Sequence, residues 1–168
     1  GAFVVRTGEL VVTVDAKCID DCTKAGWAFF MADGITEDQS CGKSGYARPK
    51  NNPLSADTSE KLALLEGITR MFEALSRAED TPARIKIIVR TKSMRELFDK
   101  DRLSKKSSSK KGSKVSRMTS KNPLFDRLSK LHGIIATLAS KGVSVRFPNE
   151  KSTRLKQVSE MAAAMMND

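Results

Sequence analysis

Three groups of residues in this chain could do chemistry, and each asks for a different partner. The first is Asp15, which closes the stretch Glu9-Leu-Val-Val-Thr-Val-Asp15. Leu10, Val12 and Val14 alternate with Val11, Thr13 and Asp15, the period-2 pattern of a strand, and its apolar density places that strand at the centre of a sheet. A carboxylate at the end of a central strand is costly to bury unless a cation, hydrogen bonds or a metal compensates it. The second group is Cys18, Cys22 and Cys41 with the single histidine, His132. A closed zinc site needs four ligands, and His132 stands far along the chain. The odd cysteine count argues against a disulfide framework, so free thiols in a reducing compartment are expected. His132, inside a helical pattern, reads as a surface or boundary residue. The third group is Lys105, Lys106, Lys110, Lys111, Lys114 and Arg117, set among serines. Lysines act as point charges and serines add modest phosphate hydrogen bonds, so this run suits a polyanion without base specificity.

Charge supports the third reading. The 168 residues carry a formal net charge of +10 at pH 7, which points to an anionic partner, nucleic acid first. A membrane is not expected. No apolar run approaches the roughly 20 residues of a spanning helix, and no helix pairs a basic face with an aromatic one. Aromatic residues make up 5% of the chain, so Trp27 and the phenylalanines read as core rather than as a stacking platform for bases. The length suits one domain over residues 1–168. The chain opens on Gly without a signal-peptide pattern, so it is expected to be a piece of a longer intracellular protein, with the lysine tract also compatible with nuclear targeting.

These residues need elements to hold them. Ala25-Gly-Trp-Ala-Phe-Phe-Met-Ala32 reads as a second buried strand, followed by an Asp33-Gly34 turn and a weaker third strand over about 40–47. Leu64, Leu65, Ile68, Phe72 and Leu75 recur at helical spacing and predict a helix over roughly 58–77. Asp57, Thr58 and Ser59 offer N-caps, and Glu60 falls in the expected first turn, where the dipole favours a carboxylate. A strand over 84–90 and a short helix over about 93–100 follow. Residues 100–121 lack the apolar side chains to pack, so they are expected to form a mobile basic loop. Leu124, Leu128, Leu131, Ile135 and Leu138 predict another helix, Val143–Phe147 a last strand, and about 152–165 a final helix. The expected architecture is α/β, one mixed sheet of five strands whose first three are antiparallel, flanked by helices.

This order and several local matches resemble ribonuclease H of the small single-domain kind, over nearly the whole chain. Leu10–Cys18 resembles that family's first strand, with Asp15-Ala-Lys where the family has Asp-Gly-Ser. Glu60, Ala63 and Gly67 keep the spacing of its first helix. Ile88-Val-Arg-Thr-Lys-Ser93 resembles its fourth strand and Thr-Asp-Ser end. Lys121-Asn-Pro-Leu-Phe-Asp-Arg-Leu128 resembles the helix after its basic protrusion, and Val158-Ser-Glu-Met-Ala162 its final helix.

The resemblance implies a catalytic centre in which four carboxylates hold two divalent cations about 3.5–4 Å apart on a scissile phosphate. Asp15 and Glu60 match two of those carboxylates. Lys92 and Ser159 stand where the family has the other two. The loop before the last helix lacks the family's His, and Ser55-Ala-Asp57 replaces the Thr-Asn-Asn that contacts the hybrid. An ammonium in place of a bridging carboxylate opposes both metals, so Lys92 is expected to pair with Asp15 or Glu60, with at most one weak Mg²⁺ or Mn²⁺ ion and no resident cofactor. The implied function is binding of RNA, DNA or their hybrid through the basic loop by a catalytically inactive ribonuclease H-like domain, as part of a larger retroelement, viral or nucleic-acid-processing protein. Two alternatives stand beside it: a metal-dependent nuclease with altered ligands, and a protein-interaction module within a parent polyprotein.

Overall fold

The computed structural model describes residues 7–19, 22–45, 54–103 and 116–167. Its centre is β1 (Glu9–Cys18), buried on both sides. Leu10, Val12, Val14 and Ala16 enter one apolar core, while Thr13 and Asp15 are buried on the opposite side. β2 (Lys24–Ala32) pairs antiparallel with β1, and β3 (Glu37–Gly45) pairs antiparallel with β2. β4 (Arg84–Ile88) and β5 (Ser144–Arg146) complete the other half in parallel. The strand order is β3-β2-β1-β4-β5, the mixed five-stranded sheet expected from the sequence.

The two faces are covered unequally. α1 (Ala56–Ser76) and α3 (Phe125–Ser140) cover one of them: α1 buries Leu64, Leu65, Ile68 and Met71 against β1 and β2, and α3 adds Leu128 and Leu131 to the same core beside α1 and β5. The 21-residue α1 is long enough to span the sheet because leucine and isoleucine recur at helical spacing along it. α4 (Leu155–Ala164) covers the other face, with Val158 and Ala162 on Ala28 and Phe30. It lies so close that a Cβ on Gly26 would come within 1.9 Å of the Ala162 carbonyl oxygen. Only glycine permits that approach. α2 (Lys92–Glu96) is a single short turn after β4, and a 3-10 turn (Met165–Asn167) ends the described chain.

Several expected details differ. α1 starts at Ala56, and its cap is Ser55, whose hydroxyl accepts from the Thr58 N–H at 3.1 Å; Asp57, Thr58 and Ser59 are already helical. Glu60 therefore sits in the second turn. β3 starts at Glu37, three residues earlier than expected. The strand after α1 stops at Ile88 because Thr91, extended and accepting from the Met94 N–H, caps α2 and turns the chain. α4 starts after Ser152, whose hydroxyl hydrogen-bonds Thr13 at 2.7 Å and accepts from the Arg154 N–H. Cys18 and Cys22 are joined as a disulfide, which corrects the expectation of free thiols; Cys41 alone is free. The end of β1 and the turn into β2 bring their Cα atoms to 5.2 Å, within bridging range. Lys105, Lys106, Lys110, Lys111 and Lys114 lie outside the described residues; Arg117 is exposed beside the buried Met118. Among the described residues, no helix is long and apolar enough to cross a membrane.

Candidate functional site

Register decides what meets Asp15. β1 and β4 run parallel, with Thr13 opposite Ile88. Two residues further along, on the same side of the sheet, Asp15 comes level with Arg90 just beyond the end of β4. The Arg90 Nε lies 3.0 and 3.2 Å from the two Asp15 carboxylate oxygens. Its Nη2 reaches Glu60 Oε2 at 3.1 Å. Glu60 comes in from α1, and its other oxygen accepts the backbone N–H of Cys18 at 3.4 Å. From α4, the Ser159 hydroxyl donates to Asp15 Oδ2. Four elements thus converge: β1, α1, the end of β4, and α4.

The environment makes this bridge matter. Asp15 is fully buried, whereas the side chains of Arg90 and Glu60 remain 28% and 22% exposed. A buried carboxylate with one cation removed faces the desolvation cost alone, typically about 3–5 kcal/mol for a buried pair. Arginine suits the position because its planar fork can serve two carboxylates at once.

Of the residues singled out from the sequence, Asp15, Glu60 and Ser159 come together. Lys92 does not. Its Nζ pairs with Glu96 at 3.8 Å and its side chain is 81% exposed. The expectation that Lys92 neutralises Asp15 or Glu60 is therefore corrected: Arg90 does so. The reason is local. Were the strand to continue, residues 88, 90 and 92 would share a face; the cap at Thr91 breaks that alternation and sends Lys92 outward. His132 is a half-buried boundary residue, its Nε2 2.9 Å from the Leu97 carbonyl. Among the described residues, no three His, Cys, Asp or Glu side chains converge on one point.

Solved structures share the architecture that holds this site. The N-terminal RNase H domain of a Mycobacterium tuberculosis protein superposes with a TM-score of 0.55 at 16% identity, covering 95% of this chain and 94% of its own. LC11-RNase H1, in complex with an RNA/DNA hybrid, superposes with a TM-score of 0.58 at 11% identity, covering 94% and 96%. The fold is that of ribonuclease H. RNase H1 from the halophilic archaeon Halobacterium salinarum gives a TM-score of 0.50 at 7% identity over 95% and 98% of the two chains. No family model matches the sequence, and no curated protein matches it. Asp15, Glu60 and Ser159 meet at one point in this fold, and the Arg90 guanidinium stands between the two carboxylates.

Proposed function

We propose that this ribonuclease H-like chain binds nucleic acid and does not cleave it. The observation that carries the reading is the Arg90 guanidinium held between Asp15 and Glu60. Two divalent cations would need that volume. The cluster, two carboxylates and one guanidinium, has one net negative charge, whereas a pair of such ions brings four positive ones. At about 4 Å and an effective dielectric near 20, each unit-charge repulsion is on the order of 4 kcal/mol. Mg²⁺ also demands near-octahedral oxygen ligation, and here Ser159 offers a neutral hydroxyl already given to Asp15. The donor set does not fit a two-metal centre.

Binding rests on other features. The chain is basic, with a net charge of +10, and one solved relative in fold holds an RNA/DNA hybrid. The lysine run from Lys105 to Lys114, with Arg117, supplies phosphate contacts of the kind that give affinity without sequence preference. The chain works as the binding portion of a larger nucleic-acid-processing protein, such as one from a retroelement or virus.

The test is a binding and cleavage assay on duplex DNA, duplex RNA, hybrid and single strands, with Mg²⁺ or Mn²⁺ present. The expected result is salt-dependent binding with no cleavage. Replacing Lys105, Lys106, Lys110 and Lys111 by Ser weakens binding to all sequences alike, and the log–log salt slope becomes shallower by about three to four units on duplex DNA if all four touch phosphate. Metal-dependent cleavage abolished by Asp15→Asn overturns the proposal in favour of a nuclease. Binding that ignores both salt and the quadruple substitution overturns the role of the loop.

A further inference from the structure

A second constellation lies at the β5 edge, away from the carboxylate cluster. α2, the segment after it and the end of β5 enclose a cleft of about 370 Å³, lined in part by Arg95, Phe98, Arg146 and Phe147, with Lys92 and Glu96 on its rim. Phe98 and Phe147 stack face to face, their centroids 3.9 Å apart and their planes within 3°. His132 continues the near-parallel arrangement behind Phe98 at 6.1 Å and 12°, and its hydrogen bond to the Leu97 carbonyl fixes it there.

The charges around this stack are unevenly satisfied. Glu96 takes Lys92, and the Asp99 carboxylate accepts the backbone N–H of Asp101. The guanidinium groups of Arg95 and Arg146 make no ion pair or hydrogen bond with any described residue. Two uncommitted guanidiniums beside a half-buried aromatic pair match a phosphate attached to a planar ring. The volume is at the small end of ligand pockets, roughly 300–1,000 Å³, so it admits one planar group and not a duplex. Bases inside a duplex already stack on one another and offer no free face.

We propose that this cleft binds a single unpaired nucleotide at a strand end, its base stacked on the Phe98–Phe147 pair and its phosphate held by Arg95 and Arg146. This rests on the nucleic-acid reading above and assigns a junction between duplex and single strand as the preferred substrate class.

The experiment compares a blunt hybrid duplex with the same duplex carrying a three-nucleotide overhang, titrated by fluorescence anisotropy at fixed salt against the full chain. The overhang carries 2-aminopurine, whose emission is quenched on stacking. Wild type is expected to prefer the overhang by about tenfold, within the range of base–aromatic stacking, with quenching on binding. Arg95→Gln/Arg146→Gln, at positions outside the buried core, and Phe147→Leu, which keeps an apolar side chain, should each remove most of that preference while blunt-duplex binding persists. Wild type that binds both substrates equally without quenching overturns the cleft and leaves the proposed function intact. Wild type that binds neither overturns both. An overhang preference kept by both variants, or abolished by a poly-glutamate peptide at equal charge concentration, also overturns it, the latter in favour of an acidic protein partner.

Discussion

The two faces of the sheet solve different problems. Under α1 and α3, the sheet is closed by one large apolar cluster, in which Leu10, Val12 and Val14 of β1 join Trp27 and Phe29 of β2 and Leu64, Leu65 and Ile68 of α1. Under α4, the buried apolar contact shrinks to Ala28, Phe30, Val158 and Ala162, flanked by the partly buried Ala32 and Met161, and polar contacts stand beside it. There Thr13 meets Ser152, and Asp15 meets Ser159 and Arg90. The first face supplies area removed from water, which is non-directional and tolerant. The second depends on hydrogen-bond and charge geometry, which is intolerant of losing one partner. The apolar face is expected to carry most of the stability, while the polar face needs only to be neutral and satisfied.

The largest expected effect tests the first half of that contrast. Leu65→Ala removes a fully buried side chain at the middle of α1 and should cost about 3–4 kcal/mol by lost transfer and cavity formation. For a chain of this size the melting temperature should fall by roughly 6–16 °C, at about 2–4 °C per kcal/mol, in a thermal scan. A fall under about 2 °C would show that the α1 face is not the main support.

Next comes the bridge. Arg90→Met keeps much of the side-chain volume but leaves the buried Asp15 carboxylate without its cation. The expected loss is about 3 kcal/mol in denaturant titration. Asp15→Asn in the same chain should recover part of it, since an amide in that place carries no charge to desolvate. A double-mutant cycle therefore should show a coupling of about 1–3 kcal/mol. Additive losses would mean that Arg90 and Asp15 are neighbours without mutual dependence. The same site supplies a functional contrast: Arg90→Ser with Ser159→Asp removes the guanidinium and offers a third carboxylate beside Asp15 and Glu60. Calorimetry with Mn²⁺ should then detect binding tighter than in the wild type. No change in metal affinity would show that charge is not what opposes the ions.

How much of this was legible in the sequence differs between the two faces for the same physical reason. Periodicity reports burial, so the strand over Glu9–Asp15, the helix around Leu64–Leu75 and the sheet class were readable from spacing alone. Spacing also brought Asp15 and Glu60 into one site through the resemblance to ribonuclease H. It did not identify the cation. Lys92 drew attention because it occupies a matched position, but its fate depended on where β4 stops, and one capping threonine decides that. Arg90 was findable from parallel register, because the residue level with Asp15 lies two beyond the partner of Thr13. The Cys18–Cys22 bridge was missed for a similar reason: cysteine counting speaks to frameworks, whereas this bridge spans four positions at a strand end and follows from the turn. The Phe98–Phe147 stack joins α2's far side to the segment after β5, a pairing that no local pattern encodes.

The smallest effect is the most diagnostic of how the polar face works. Ser159→Ala removes the one hydroxyl that α4 gives to Asp15. In the wild type the carboxylate still accepts Arg90 Nε with both oxygens, so its charge stays compensated and its desolvation is already met. The loss should be about 1 kcal/mol, the net worth of one ordinary hydrogen bond. In the Arg90→Met background, the Ser159 hydroxyl is the remaining side-chain donor to a buried charge. There the same substitution should cost about 2–3 kcal/mol, the range for hydrogen bonds to charged groups and for a charged acceptor left unsatisfied. Denaturant titrations of the four chains measure this directly. Equal losses in both backgrounds would show that Ser159 and Arg90 act on Asp15 independently, and would reduce the polar face to a set of separate contacts; a larger loss without Arg90 identifies Asp15 as the single group whose compensation both elements share.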